Sequence, residues 1–176
     1  MQSTQSVDIR AARPGDLAAV AEIYAHYVAR TVVTFDEEPL SADAWRGKYD
    51  DLAARGLPFL VAAGPGDEIA GYAYAAPWRP KPAYRHTVED TVYLAPGRTG
   101  QGLGGALLAT LLEESAGAGV RQMIAVISDV DEAVGPASIA LHARHGFKET
   151  GRLAAVGHKH GRWVDTVLMQ RSLGAE

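Results

Sequence analysis

The spacing of apolar positions changes several times along the chain, and each change marks an element. Residues 7–12 alternate apolar and polar, as a half-buried strand does. Over 13–30, Leu17, Val20, Ile23, Tyr24, Tyr27 and Val28 recur every three or four residues, which predicts an amphipathic helix capped by Asp16. Ser41 opens a second helix, with Trp45, Tyr49 and Leu52 on one face and Gly56 as its stop. "PFLVAA" and "IAGYAYAAPW" read as the strands of a hairpin around "GPGDE". "RPKPAYRHT" holds too much proline for a regular element, and "VEDTVYLAP" is a strand ended by Pro96. Glycines then open a helix that turns Leu103, Leu107, Leu108, Leu111 and Leu112 inward. "VRQMIAVIS" reads as a central strand covered on both faces. "PASIALHARHG" is a short helix, and residues 147–157 and 162–172 are strands around the turn "HKHG".

A hairpin therefore precedes one strand–helix–strand crossover, which predicts a mixed α/β sheet. A length of 176 residues suits one domain, placed at 7–172 with 1–6 and 173–176 as tails. The net charge of −4 argues against nucleic acid as a partner, since such binding rests on neutralising many phosphates. The chain has no cysteine, which removes disulfides, thiolate metal sites and a thiol nucleophile. No segment has the apolar length of a signal peptide or a membrane span, so a cytoplasmic protein with no membrane partner is expected.

The glycine run "RTGQGLGG" is the first candidate site. Gly100, Gly102 and Gly105 fit G-x-G-x-x-G, and Asp129 follows the next strand, where a ribose-binding carboxylate would sit. A nicotinamide-binding oxidoreductase is nevertheless disfavoured. Residues 95–99 separate the strand from the first glycine, a hairpin stands upstream, and 130–176 is too short for a second half-fold. No Lys-Ser or Lys-Thr closes the run as a P-loop requires. What remains is a helix N-terminus whose N–H groups can meet phosphate oxygens, with Arg98 as a mobile charge beside it. The alternative is a loop kept rich in glycine for close packing.

A strand, a short connector and glycines opening a helix resembles the acetyl-CoA pyrophosphate motif of the GNAT N-acetyltransferases, Q/R-x-x-G-x-G/A. The matching residues are Thr99, Gly100, Gln101, Gly102, Leu103 and Gly104, followed by Gly105. Thr99 departs from the usual Gln or Arg, which leaves Arg98 or Gln101 to supply the polar contact. "TVVTFDEEP", "GYAYAAPWRP", "AYRHTVEDTVYL", "RTGQGLG", "SIALHARHGF" and "VGHKHGRWVD" follow in an order that resembles the phosphinothricin acetyltransferases, over about Ile9 to Met169. Relatives of these enzymes acetylate methionine sulfoximine, methionine sulfone and some amino acids. The resemblance implies a GNAT fold. That is a mixed, mostly antiparallel sheet of about seven strands, with a splayed parallel central pair and flanking helices. It also implies acetyl-CoA as cosubstrate, no metal, and a homodimer built through the last hairpin.

Acetyl transfer to an amine needs a neutral nucleophile, a stabilised oxyanion, a leaving thiolate and alignment. The resemblance makes Glu89 the base. An ordinary Glu, with a pKa of about 4.3, is too weak for that task without burial or a water relay. A strand-end carboxylate in a surface ion pair is the other reading of Glu89, and Asp90 falls on the opposite face. Val92, Tyr93 and Leu94 would offer backbone groups to the acetyl carbonyl and the pantetheine, with the Tyr93 ring in the core. His142 stands where many GNAT enzymes carry a tyrosine acid for the thiolate; a helical His bonded to backbone is the alternative, and His145 is expected in solvent.

Phe35 and Glu38, with Trp78, Arg79 and Arg85, are the candidate acceptor-binding residues. Arg79 or Arg85 would take a carboxylate, with Arg79 favoured by the resemblance, and Glu38 an ammonium. Phe35, Trp78 and Tyr84 would wall the pocket or simply pack. His158 and His160 share a strand face but no third metal ligand can be named. The link "SDVDEAVGPAS" looks longer than in relatives, leaving Asp131 or Ser138 to replace an Asn that reaches the cofactor. No activated Ser or Cys is visible, so direct attack without an acyl-enzyme is expected. A non-catalytic acyl-CoA or amino-acid sensor of the same fold is the competing function.

Overall fold

The computed structural model describes residues 7–130 and 134–174. Its elements are β1 (Asp8–Ala11), α1 (Leu17–Arg30), α2 (Ala42–Ala54), β2 (Phe59–Ala63), β3 (Ile69–Pro77), β4 (Thr87–Leu94), α3 (Leu103–Gly117), β5 (Gln122–Asp129), α4 (Val134–Arg144), β6 (Lys148–Lys159) and β7 (Arg162–Ser172). Seven strands form one sheet in the order β1-β2-β3-β4-β5-β7-β6. Every neighbouring pair is antiparallel except β4 and β5. This is the GNAT fold, and one parallel pair excludes a doubly wound dinucleotide fold.

Alternation along the strands builds a core on each side of the sheet. On one face Val88, Met123, Ala125, Ile127, Val167 and Met169 meet the buried leucines of α3. On the other, Phe59, Val61, Tyr72 and Tyr74 meet Val20 and Ile23 of α1 and Trp45 and Leu52 of α2. Consecutive residues of β4 thus face opposite layers, and this separates Glu89 from Asp90.

The parallel pair is short. Thr87, Val88 and Glu89 pair with Gln122, Met123 and Ile124, and there the ladder stops. Beyond it β4 stays bonded to β3 as far as Leu94 opposite Gly71, and β5 to β7 as far as Asp129 opposite Asp165. A gap opens between β4 and β5 while each strand keeps its outer neighbour. Hence β5 is not covered on both faces as its apolar run predicted: Val126, in an interior strand, is 38% exposed.

Local signals behave unevenly. Ser41 caps α2 as predicted, its hydroxyl accepting the Ala44 N–H at 3.1 Å. Asp16 does not cap α1. Pro14–Asp16 form a 3-10 turn, and the Asp16 carboxylate turns back to accept from the Arg13 N–H at 2.7 Å and from Arg10 at 2.7 and 3.0 Å. A guanidinium offers a stronger bond than a helix N–H, so the ion pair wins. The fourth helix starts at Val134, so it absorbs residues read from the sequence as link. Pro136 is tolerated in its first turn, where an N–H has no helical acceptor. Gly135 lets that turn close on the end of β5: a Cβ there would lie 2.8 Å from the Ser128 carbonyl oxygen and 3.2 Å from the Val130 nitrogen.

Gly135→Ala is therefore expected to destabilise the protein by about 1–3 kcal/mol through overpacking, as read by chemical denaturation. A change below about 0.5 kcal/mol, the usual surface scatter, would contradict the close approach.

Candidate active site

The gap between β4 and β5 ends at the glycine loop. Tyr27 fixes its upper rim by donating from its hydroxyl to the Leu94 carbonyl at 2.7 Å, and the Ala95 N–H bonds the Ala70 carbonyl at 2.9 Å. Gly97, Gly100 and Gly102 take φ values of 80°, 75° and 78°. A Cβ on Gly100 or Gly102 would meet nothing within 4 Å, so backbone conformation rather than crowding requires glycine at both. Gly104 is different, because its Cβ would press on Leu141 of α4 at 3.3 Å. The run thus serves turning and packing at separate positions. Gly102 is the N-cap without a side-chain cap, and the first helical bond runs from the Ala106 N–H to the Gly102 carbonyl at 3.1 Å. The N–H groups of Leu103, Gly104 and Gly105 stand ahead of that bond, at the positive end of the α3 dipole.

Thr99 and Gln101 are exposed on the loop. Arg98 is not the mobile charge its sequence position suggested: its guanidinium pairs with Glu68 at 2.9 Å. That pair is partly exposed, and such pairs contribute only about 0–1 kcal/mol, so it holds Arg98 weakly. Val92 and Leu94 face the α3 layer, and the Tyr93 ring joins the aromatic core, 5.4 Å from Tyr24 and 4.9 Å from Tyr27.

Glu89 occupies the last β4–β5 pair, at the base of the gap, and faces the α1/α2 layer with Tyr93. It is half-buried, and among the described residues its carboxylate has neither a hydrogen bond nor an ion pair. The surface ion pair weighed for it is absent among them. Burial first, then the neighbouring Asp90 charge, pushes its pKa above the usual glutamate range, against the opposing charges of Arg79 and Lys48. A carboxyl shifted this way is a stronger base than a solvated one.

Asp90 points to the other layer and meets His142. The imidazole Nε2 lies 2.7 Å from the Asp90 Oδ2, and Nδ1 lies 2.7 Å from the Ser138 carbonyl oxygen. A carbonyl only accepts, so Nδ1 carries a hydrogen, and Nε2 shares a second proton with Asp90. The two side chains are 5% and 2% exposed, and Phe147 closes over the ring at 5.0 Å. Burial alone would lower the His142 pKa; the Asp90 bond and charge, with the Ser138 carbonyl, outweigh it and raise the value above 6.5. Both ring nitrogens are engaged, so donation to a sulfur requires the imidazole to leave Asp90. Ser138 is also engaged here, with its hydroxyl 3.4 Å from Nδ1. Asp131 lies outside the described residues. His145, expected in solvent, is half-buried and bonds the Leu141 carbonyl at 2.9 Å.

The acceptor candidates fall into two groups. Trp78, Arg79 and Arg85 line one open cavity of about 630 Å³ with Lys81 and His86, near the start of β4. The Arg79 guanidinium stacks 4.6 Å from the Trp78 ring, and Arg85 donates to the Pro82 carbonyl at 3.2 Å. Tyr84 beside them is 43% exposed. Phe35 and Glu38 lie elsewhere, on a loop docked against the β6–β7 hairpin. The buried Lys159 ammonium donates to the Thr34 carbonyl at 2.9 Å, and the Phe35 ring lies over Gly157, where a Cβ would come within 2.3 Å. Glu38 is exposed, with no side-chain partner among the described residues. His158 stacks on Trp163 at 4.6 Å, and His160 sits in the tight turn with φ 50°.

Asp90→Asn tests the buried pair. A raised His142 pKa means the pair's stabilisation is fully present below 6.5 and is lost as pH rises through the raised value. The variant is expected to lose on the order of 1–3 kcal/mol at about pH 6 and markedly less at about pH 9. NMR titration of the imidazole should show its pKa falling in the variant; an unchanged value would break the assignment.

Residues 20–147 match the family model described as the acetyltransferase (GNAT) family. The phosphinothricin N-acetyltransferase of Alcaligenes faecalis is 46% identical over 167 residues, which cover 95% of this chain and 83% of that protein. The L-methionine sulfoximine/L-methionine sulfone acetyltransferase of Pseudomonas aeruginosa is 38% identical over 168 residues, 96% of this chain and 95% of that protein. A crystal structure of a GNAT superfamily phosphinothricin acetyltransferase from Sinorhizobium meliloti, in complex with acetyl-CoA, superposes with a TM-score of 0.89 at 42% identity. That match covers 96% of this chain and 89% of that one. With its fold, its glycine loop and its splayed strand pair in agreement, the chain belongs to the GNAT family of acetyltransferases.

Proposed function

We propose that the protein moves the acetyl group of acetyl-CoA to the α-amine of a small amino acid or analogue of the phosphinothricin, methionine sulfoximine and methionine sulfone class. The observation that carries this is Glu89: half-buried, without a side-chain partner among the described residues, at the base of the only parallel strand gap in the described sheet. The names of the relatives supply the acceptor class.

In this reading the loop N–H groups from Gly100 to Gly105, with Arg98, Thr99 and Gln101 at hand, hold the diphosphate. Val92, Tyr93 and Leu94 offer backbone groups to the pantetheine and the thioester oxygen. Glu89, directly or through water, takes a proton from the acceptor ammonium. The freed amine attacks the thioester carbon and the C–N bond forms; the nitrogen gives its second proton to water as the C–S bond breaks, and the thiolate takes a proton. His142 supplies that proton on release from Asp90. Arg79 takes the acceptor carboxylate, with Arg85 and Trp78 in the same cavity, while Phe35 and Glu38 approach from the α1–α2 loop. The reading includes a cytoplasmic homodimer, with Leu153, Val156 and Trp163, exposed at 46%, 52% and 70%, on the face that meets a second copy. No helix among the described residues is long and apolar enough to cross a membrane.

Glu89→Gln is expected to lower kcat by about 10²- to 10⁴-fold while leaving the acetyl-CoA-induced rise in Tm in place. The kcat/KM profile of the native protein should rise through an apparent pKa above 4.5, a limb that disappears in the variant. Because the carboxyl pKa is raised by folding, the anion costs stability above that range, so the variant should also melt higher at neutral pH and not below pH 4. Release of free CoA thiol with phosphinothricin, methionine sulfoximine, methionine sulfone and plain amino acids tests the activity. A rise in Tm with acetyl-CoA but no thiol release would leave a sensor. No rise in Tm would overturn the reading.

A further inference from the structure

Lys48 is a cation that the mechanism above leaves unused. It lies on α2 between Trp45 and Leu52, both buried against the sheet, and the three recur at i, i+3 and i+7. Its side chain is therefore drawn toward the sheet and is half-buried. The ammonium sits 4.9 Å from the centroid of the Tyr74 ring. Tyr74 pairs with Thr91, and the next pair on the same face is Ala76 with Glu89, roughly 7 Å along the strands. Lys48 thus overlooks the face that carries the base. Its charge, together with that of Arg79, opposes the burial of the Glu89 carboxylate.

Among the described residues Lys48 makes no salt bridge and no hydrogen bond, and Asp51, one turn on, is held by Arg55 at 2.8 Å. An ammonium resting on a π-face keeps its hydrogen-bonding capacity for another group. Two cations therefore flank one base: Arg79, given to the acceptor carboxylate, and Lys48, which lies near Asp51 on α2 but forms no ion pair with it. A neutral side chain on the acceptor would leave Lys48 unmatched. An acceptor with a second acidic group would not.

Resting on the acceptor class proposed above, we infer that Lys48 is a specificity residue that pairs the side-chain anion of a doubly acidic amino-acid acceptor. Phosphinothricin, with a carboxylate and a phosphinate, is of this kind; methionine sulfone, with a neutral sulfone, is not. The protein should prefer the first, and the preference should reside in Lys48.

Lys48→Met keeps the length and the apolar contact with Tyr74 while removing the charge. Removing it also shifts the Glu89 base, but equally for both acceptors, so the ratio of kcat/KM values isolates recognition. The phosphinothricin to methionine sulfone ratio is expected to fall about ten- to a hundredfold, chiefly through KM for phosphinothricin, and to recover largely in Lys48→Arg. An unchanged Tm would show that the fold is intact. Equal losses on both acceptors, or no change on either, would overturn the inference while leaving the acetyltransferase reading standing. A native protein inactive on both acceptors would overturn the inference, while thiol release with methionine sulfoximine or a plain amino acid would leave the acetyltransferase reading standing.

Discussion

Two neighbouring strands stop bonding one another after Glu89 and Ile124, and the site depends on that interruption. Unpaired backbone groups inside a sheet are costly, so such a gap survives only if each strand is held from outside. Here β3 holds β4 and β7 holds β5 along their full lengths. Tyr27 grips the far end of β4, and the Asp90–His142 pair ties β4 to α4 just past the last shared rung. The slot is thus a built feature of the sheet, with the inner edges of β4 and β5 left unpaired with each other beyond Glu89 and Ile124.

The alternation of β4 assigns opposite fates to two adjacent carboxylates. Glu89 turns to the aromatic layer and is left without a partner among the described residues; Asp90 turns to the leucine layer and is bound to an imidazole. One stands without a hydrogen bond on its layer and the other shares a proton with the imidazole. A shift of one residue in strand register would exchange them, which is why the packing of both layers matters to the chemistry.

Most elements were legible because periodicity reports burial directly. The leucines of α3, the Ser41 cap and the extent of β7 all follow from local pattern. The exceptions share a cause, which is competition from residues distant in sequence. Asp16 was a good cap until Arg10 offered a better partner. The second face of β5 was apolar enough to be buried, but the neighbouring strand departs and leaves Val126 bare. The start of α4 was hidden by Gly135 and Pro136, which read as loop unless the end of β5 is known to press on them. In the site, the glycine loop and Glu89 were visible as motif and position. Asp90 as partner of His142, Lys159 under Thr34 and Lys48 over Tyr74 were not, because each contact joins segments whose approach only the fold decides.

The contact between Phe35 and Gly157 has an evolutionary corollary. The Phe35 ring on the α1–α2 loop rests on a position of β6 where nothing larger than hydrogen fits. Any side chain there must evict the ring, so one nucleotide change in the hairpin can reshape a surface encoded more than a hundred codons earlier. The shape of that loop surface therefore has a lever outside the loop itself, and a search confined to the loop would overlook it.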